Sequence, residues 1–279
     1  MQTRRVVLKM AAGAGAALAL RGRAMAAKGN EDISAIRSAE GEKTPLLKTP
    51  RAIDIPIIVY HHVVPDQLGS QRTRILYVAP DIFEQQLNLL RDNGYQSVSF
   101  SDVADCLEYG IPLPERPVIL SFDDGWDNQF NFGFPLLQKY GFTGTFFIVS
   151  GFLDHQNFMT TDQLKAMVAA GMTIGGHSRT HPALAGLGAM RLQDEIAGSK
   201  LWLRERLGVP IDTFAYPYGS YTASVAAIVK SAGYRTARTV DVGTHCTADN
   251  LETLPGLIFS TFANHYRDKI EVASREDHR

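Results

Sequence analysis

Two adjacent carboxylates, Asp123 and Asp124, close the apolar run Val118-Ile119-Leu120-Ser121-Phe122 and are followed at once by Gly125. Neighbouring anions repel unless a proton, a cation or a metal lies between them. A strand-like segment that ends this way therefore points to a neutralising partner. A second group of reactive side chains stands in Gly175-Gly176-His177-Ser178-Arg179-Thr180-His181-Pro182. Histidines at i and i+4 meet on one face where the residues between them make a helical turn, which is a metal-chelating spacing. Taken alone, such a pair is more often solvated than metallated. Asp124 on a neighbouring strand end changes this, because His, His and Asp make a three-ligand site with one position left for water. The same site explains how Asp123 and Asp124 can coexist.

The elements that must position these groups follow from hydrophobic periodicity. Strands are expected at 55–62, 95–100, 117–123, 144–150, 172–177, 212–217 and 234–240. Between them, segments 81–94, 128–141, 160–171, 191–208 and 222–233 carry helical spacing and close on a glycine. The βα unit repeats about seven times, which argues for a parallel sheet covered by helices. The polar residues His61, His62, Asp123, Asp124, His177 and Tyr216 to Tyr218 fall at strand C-terminal ends. A (β/α) barrel assembles its active site there. An open doubly wound sheet also binds at strand C-termini, but its Gly-rich dinucleotide loop is absent, and the barrel is the favoured reading.

With 279 residues, 45% of them hydrophobic, the chain can fill the core of one large α/β domain or two small ones. Its 28 basic and 29 acidic residues give a net charge of -1, which supplies no basic face for nucleic acid. Residues 1–27 read as a twin-arginine signal peptide: Arg4-Arg5 precedes a mildly apolar Ala/Gly-rich run, and Ala24-Met25-Ala26 offers a cleavage site. The run is too short and weakly apolar for a membrane span, and no cysteine follows it closely, so a lipid anchor is not expected. A periplasmic or extracellular location is. Residues 28–52 read as a linker, 53–265 as the barrel domain and 266–279 as a charged tail. Cys106 and Cys246, the two cysteines, can pair or remain buried thiols.

The segments FDDG at 122–125, HSRTH at 177–181 and Phe214-Ala215-Tyr216-Pro217-Tyr218-Gly219, in this order, resemble the three motifs of the polysaccharide deacetylase family (NodB-like, carbohydrate esterase family 4). VYHHV at 59–63 is most similar to the exported branch acting on poly-N-acetylglucosamine. The resemblance spans about residues 55–260 and implies a distorted (β/α)7-type, TIM-like barrel (the NodB homology domain). It also implies a metal-dependent hydrolase that removes N-acetyl groups from N-acetylglucosamine units of an extracellular or cell-wall polysaccharide. On this chain the metal ligands become Asp124, His177 and His181, the base Asp123, and the oxyanion donor the backbone N–H of Tyr218. The acid comes from the first strand at His61, which shares strand parity with Ile57 and Val59, whereas His62 points the other way. His265 is a third candidate. Two imidazoles and a carboxylate suit zinc, though cobalt, nickel or iron can use the same ligands.

Two positions depart from the family pattern. Ala215 stands where many members have arginine, and Gly256 where relatives of this branch usually have one. Such an arginine would orient the base, and Arg238 is the residue that can replace it. Asp241 on the same segment is a candidate to support the site or an ordinary turn aspartate, and Trp126, Tyr218 and Tyr221 are candidates either to stack on a sugar ring or to pack at the core or rim. Three other readings are an O-acetyl esterase of the xylan type, another amidohydrolase of the same fold, and a retired carbohydrate-binding barrel. Retention of both aspartates and both motif histidines counts against the last.

Overall fold

The computed structural model describes residues 52–65 and 76–258. The expected signal peptide, nearly all of the linker, the C-terminal tail and His265 lie outside these residues. In chain order the strands are β1 (Ala52–Asp54), β2 (Ile57–Tyr60), β3 (His62–Val63), β4 (Tyr77–Val78), β5 (Gln96–Ser97), β6 (Pro117–Phe122), β7 (Thr145–Ile148), β8 (Thr173–Gly176), β9 (Thr213–Ala215), β10 (Thr236–Arg238), β11 (His245–Thr247) and β12 (Leu257–Ile258). The principal sheet runs β10-β9-β8-β7-β6-β2-β12, and β5 pairs with the start of β6. Every pairing in it is parallel. A parallel bridge between Arg238 and Leu254, just ahead of β12, connects the two ends of this order. The strand number and curl are those of a distorted (β/α)7 barrel.

Each expected strand is present and shorter than its apolar run. The run at 55–62 breaks at His61, after which β3 leaves the main sheet to pair with β4. Strand alternation sorts the interior into two clusters. Ile58, Tyr60, Leu120, Phe122, Phe146 and Ile148 face the helices, with Phe83, Leu87, Leu137, Leu164 and Leu203. Ile57, Ile119, Phe147 and Ala215 point the opposite way and pack with Leu251 and Leu254. His61 and Asp123 continue the second parity, beyond Ile57 and Ile119, so the side chains that extend this face past the ladder are polar.

The helices are α1 (Pro80–Asp92), α2 (Phe100–Tyr109), α3 (Phe134–Tyr140), α4 (Thr161–Ala169), α5 (Ala189–Gln193), α6 (Ser199–Leu207) and α7 (Ala223–Ser231). Helix α2 was not expected, and Phe100 belongs to it rather than to a strand. Its start is a capping box: Ser99 accepts from the Asp102 N–H while the Asp102 carboxylate accepts from the Ser99 N–H. Two expected helices are interrupted by π-helical turns, Gln129–Gly133 before α3 and Asp194–Gly198 between α5 and α6. Such turns are frequent at functional sites.

Candidate active site

Asp124, His177 and His181 converge. Asp124 Oδ1 lies 3.5 Å from His177 Nε2 and 3.2 Å from His181 Nε2, and the two Nε2 atoms are 3.2 Å apart. A metal ion suits this arrangement because two of the three ligands, His177 and Asp124, have their other polar atom already engaged. His177 Nδ1–H donates to the Ala215 carbonyl at 2.7 Å, leaving the Nε2 lone pair free for a cation. The Trp126 indole N–H donates to Asp124 Oδ2 at 2.9 Å, which leaves Oδ1 for the same purpose. Among the described residues, these three side chains could hold a metal ion.

The backbone reaches this geometry by a route that differs from the expected helical turn. Residues 177–183 are not helical, and Ser178 and His181 adopt φ of 62° and 61°. Asp124 at φ 75° and Tyr218 at φ 58° share that left-handed conformation. Non-glycine residues there are strained and persist only where the surroundings over-determine them. For the histidine segment the surroundings include Glu195, fully buried in the second π turn. Its Oε2 accepts the N–H groups of Arg179 and Thr180 at 2.9 and 2.7 Å, and its Oε1 accepts the Thr180 hydroxyl at 2.6 Å. Ser178 Oγ accepts the His181 N–H at 2.9 Å. Glu195 was not singled out from the sequence.

Asp123 turns away from the triad to a different partner. Arg238 is completely buried, and its Nη2 donates to Asp123 Oδ1 and Oδ2 at 2.6 and 2.5 Å. Nη1 is engaged by the Thr239 carbonyl at 2.9 Å. Burial opposes ionisation of Asp123, but the Arg238 guanidinium together with His177 and His61 outweighs it and holds the carboxyl below its usual range. Burial likewise opposes the charge on Asp124, where bonds from His177 and His181 prevail and lower its pKa.

Gly256 packs closely against the segment that carries Arg238. A Cβ at this glycine would sit 2.9 Å from the Thr239 carbonyl oxygen, 3.2 Å from Val59 Cγ2 and 3.4 Å from Arg238 Cδ. A longer side chain at 256 competes for the volume that Arg238 crosses to reach Asp123.

The strand break at His61 separates the histidine pair. His61 Nε2 lies 3.7 Å from Asp123 Oδ2. Burial lowers its pKa more than the charges of Asp123 and Asp124 raise it. His62 is sandwiched between Tyr77 and Trp126, with ring centroids 4.3 and 4.5 Å away, and its Nδ1 accepts from Asn128 Nδ2. Burial pushes its imidazole down to about 4. Trp126 has Phe158 against it as well, at 4.4 Å, so its ring is occupied by protein rather than open to a sugar. Tyr221 stacks on Tyr216 and donates its hydroxyl to Asp241. Tyr218 is 70% exposed and sets its ring edge-on to His181 at 4.6 Å, which makes it the open aromatic surface beside the triad.

At one end of this parallel barrel, a carboxylate and two imidazoles that could hold a cation stand beside a separate buried carboxylate that could accept a proton. Residues 110–237 match the family model described as polysaccharide deacetylase. Residues 110–237 thus resemble a polysaccharide deacetylase domain, and the chain is a deacetylase enzyme. It is 27% identical over 208 residues to the Bacillus subtilis (strain 168) polysaccharide deacetylase YxkH, covering 75% of this chain and 72% of that protein. Over 98 residues it is 33% identical to the Escherichia coli (strain K12) poly-beta-1,6-N-acetyl-D-glucosamine N-deacetylase, which covers 35% of this chain but 14% of that enzyme. Among solved structures, the Streptococcus pyogenes deacetylase PplD in complex with acetate superposes with a TM-score of 0.71 at 27% identity, over 79% of this chain and 98% of that one.

Proposed function

We propose that the chain removes N-acetyl groups from N-acetylglucosamine units of an extracellular or cell-wall polysaccharide, using a divalent cation held by Asp124, His177 and His181. The observation that carries this reading is the division of labour between two adjacent aspartates: Asp124 faces the two imidazoles, and Asp123 is tied by Arg238 outside that set. Zinc fits two imidazoles and a carboxylate; cobalt, nickel and iron can take the same ligands. When bound, the cation supplies Lewis-acid polarisation of the acyl oxygen and brings the pKa of water toward about 7.

The protein's own groups do the rest. Asp123 accepts the proton of the attacking water. The backbone N–H of Tyr218 donates to the oxyanion as the carbonyl becomes tetrahedral. His61, 3.7 Å from Asp123, protonates the departing amine, and because burial keeps the imidazole neutral at rest, the proton reaches it during turnover by way of Asp123. Exposed Tyr218 offers a ring face to the sugar. The products are acetate and a free glucosamine amine.

The leader-like sequence at 1–27 supports export by the twin-arginine route to the periplasm or beyond. No helix among the described residues is long and apolar enough to cross a membrane. Acetate release from a panel of β-1,6-linked and β-1,4-linked N-acetylglucosamine oligomers, peptidoglycan and acetylated xylan tests the substrate class. Release from an N-acetylglucosamine polymer is expected; release from xylan alone would make the chain an O-acetyl esterase.

A further inference from the structure

Gln129 spans the two strand ends that carry His61 and Asp123. Strands β2 and β6 stay in register through Tyr60 and Phe122, and the Asp123 N–H donates to the Tyr60 carbonyl at 2.9 Å. Beyond this rung the strands end, and the carbonyls of His61 and Asp123 pass out of the ladder. Gln129, completely buried at the start of the first π turn, takes both: its Nε2 donates to His61 O at 2.6 Å and to Asp123 O at 2.5 Å. One planar amide thereby sets the separation of the backbones whose imidazole and carboxylate stand 3.7 Å apart. Its Oε1 has no hydrogen-bond partner among the described residues, so the two N–H donors are what the buried amide contributes. The preceding residue works on the same segment. Asn128 Oδ1 accepts the Val63 N–H at 2.9 Å and its Nδ2 donates to His62 Nδ1 at 3.0 Å.

We propose that Gln129 is a positioning residue for deacetylation, holding the spacing between His61 and Asp123 from behind through their main chains. The proposal rests on the roles given above to these two residues.

Gln129→Met keeps the length and apolar stem and removes both donors. A displacement on the order of an ångström between reacting groups costs about a hundredfold in rate. The expected result is a kcat on an N-acetylglucosamine oligomer lowered by about 10–100-fold, with KM, bound metal and folded fraction at the assay temperature close to wild type. Should the methionine variant fail to fold, Gln129→Asn keeps the amide but withdraws it by one methylene, and the same split between kcat and KM is expected. A folded, metal-loaded variant with wild-type kcat, or a loss that follows KM or metal content instead, would overturn the proposal. Asp123→Asn assayed alongside separates the two levels. Full activity in that variant sinks the roles themselves, whereas an inactive Asp123→Asn beside an intact Gln129→Met sinks the positioning role alone.

Discussion

Asp123→Asn is expected to retain about one metal ion per chain and to lose deacetylase activity by about 10²–10⁴-fold in kcat, the range of general acid–base catalysis. Asn is nearly isosteric, so the ligand set Asp124, His177 and His181 is left whole while the proton acceptor disappears. The substitution also leaves the buried Arg238 charge without a carboxylate, and breaking a buried pair costs about 3–5 kcal/mol. Its thermal midpoint should therefore fall, and activity must be compared below that midpoint. Metal content and kcat measured on the same preparation decide the matter. If Asp123→Asn instead strips the metal, the two aspartates have been given each other's roles.

His61→Ala should lower kcat on an N-acetyl substrate by about a hundredfold or more, and should harm hydrolysis of an activated aryl acetate far less. An amine does not leave without a proton; an aryl oxide does. The cation and Asp123 then suffice for the ester. Equal losses on both substrates would remove His61 from the role of acid. A selective loss in His62→Ala would move the role to His62, against its geometry: that ring is packed between Tyr77 and Trp126 and hydrogen-bonded to Asn128. His265 lies outside the described residues, and His265→Ala on the same two substrates tests it directly.

The strands and the triad were legible in the sequence for the same reason. Apolar β-branched and aromatic runs such as Val118 to Phe122 specify buried strands, and a polar pair at their ends has no place in a core, so Asp123 and Asp124 announce themselves. Helix α2 was equally encoded, through the Ser99 and Asp102 capping box, but the preceding alternation concealed it. The path from His177 to His181 was not legible. Spacing of i and i+4 suggests a helical turn, whereas the chain uses two left-handed residues, secured by the remote carboxylate of Glu195. Arg238 could be named as a substitute for an arginine missing at Gly256. Its bond to Asp123, across 115 positions of sequence, and the close packing at Gly256 needed coordinates. Gln129 gave no signal at all, because its partners are backbone carbonyls and carry no residue identity. Trp126 looked like a sugar platform; packing between His62 and Phe158 shows it instead as a support for Asp124.

The most direct measurement is acetate released from a β-1,6-linked N-acetylglucosamine oligomer by the purified enzyme, by the enzyme stripped with a chelator, and by the stripped enzyme after zinc is returned. Wild-type protein and Asp124→Ala are to be run side by side. Release is expected from the wild type, lost on stripping and restored by zinc, with Asp124→Ala inactive and metal-poor throughout. Undiminished release from metal-free protein, or from Asp124→Ala, would contradict a deacetylase built on Asp124, His177 and His181.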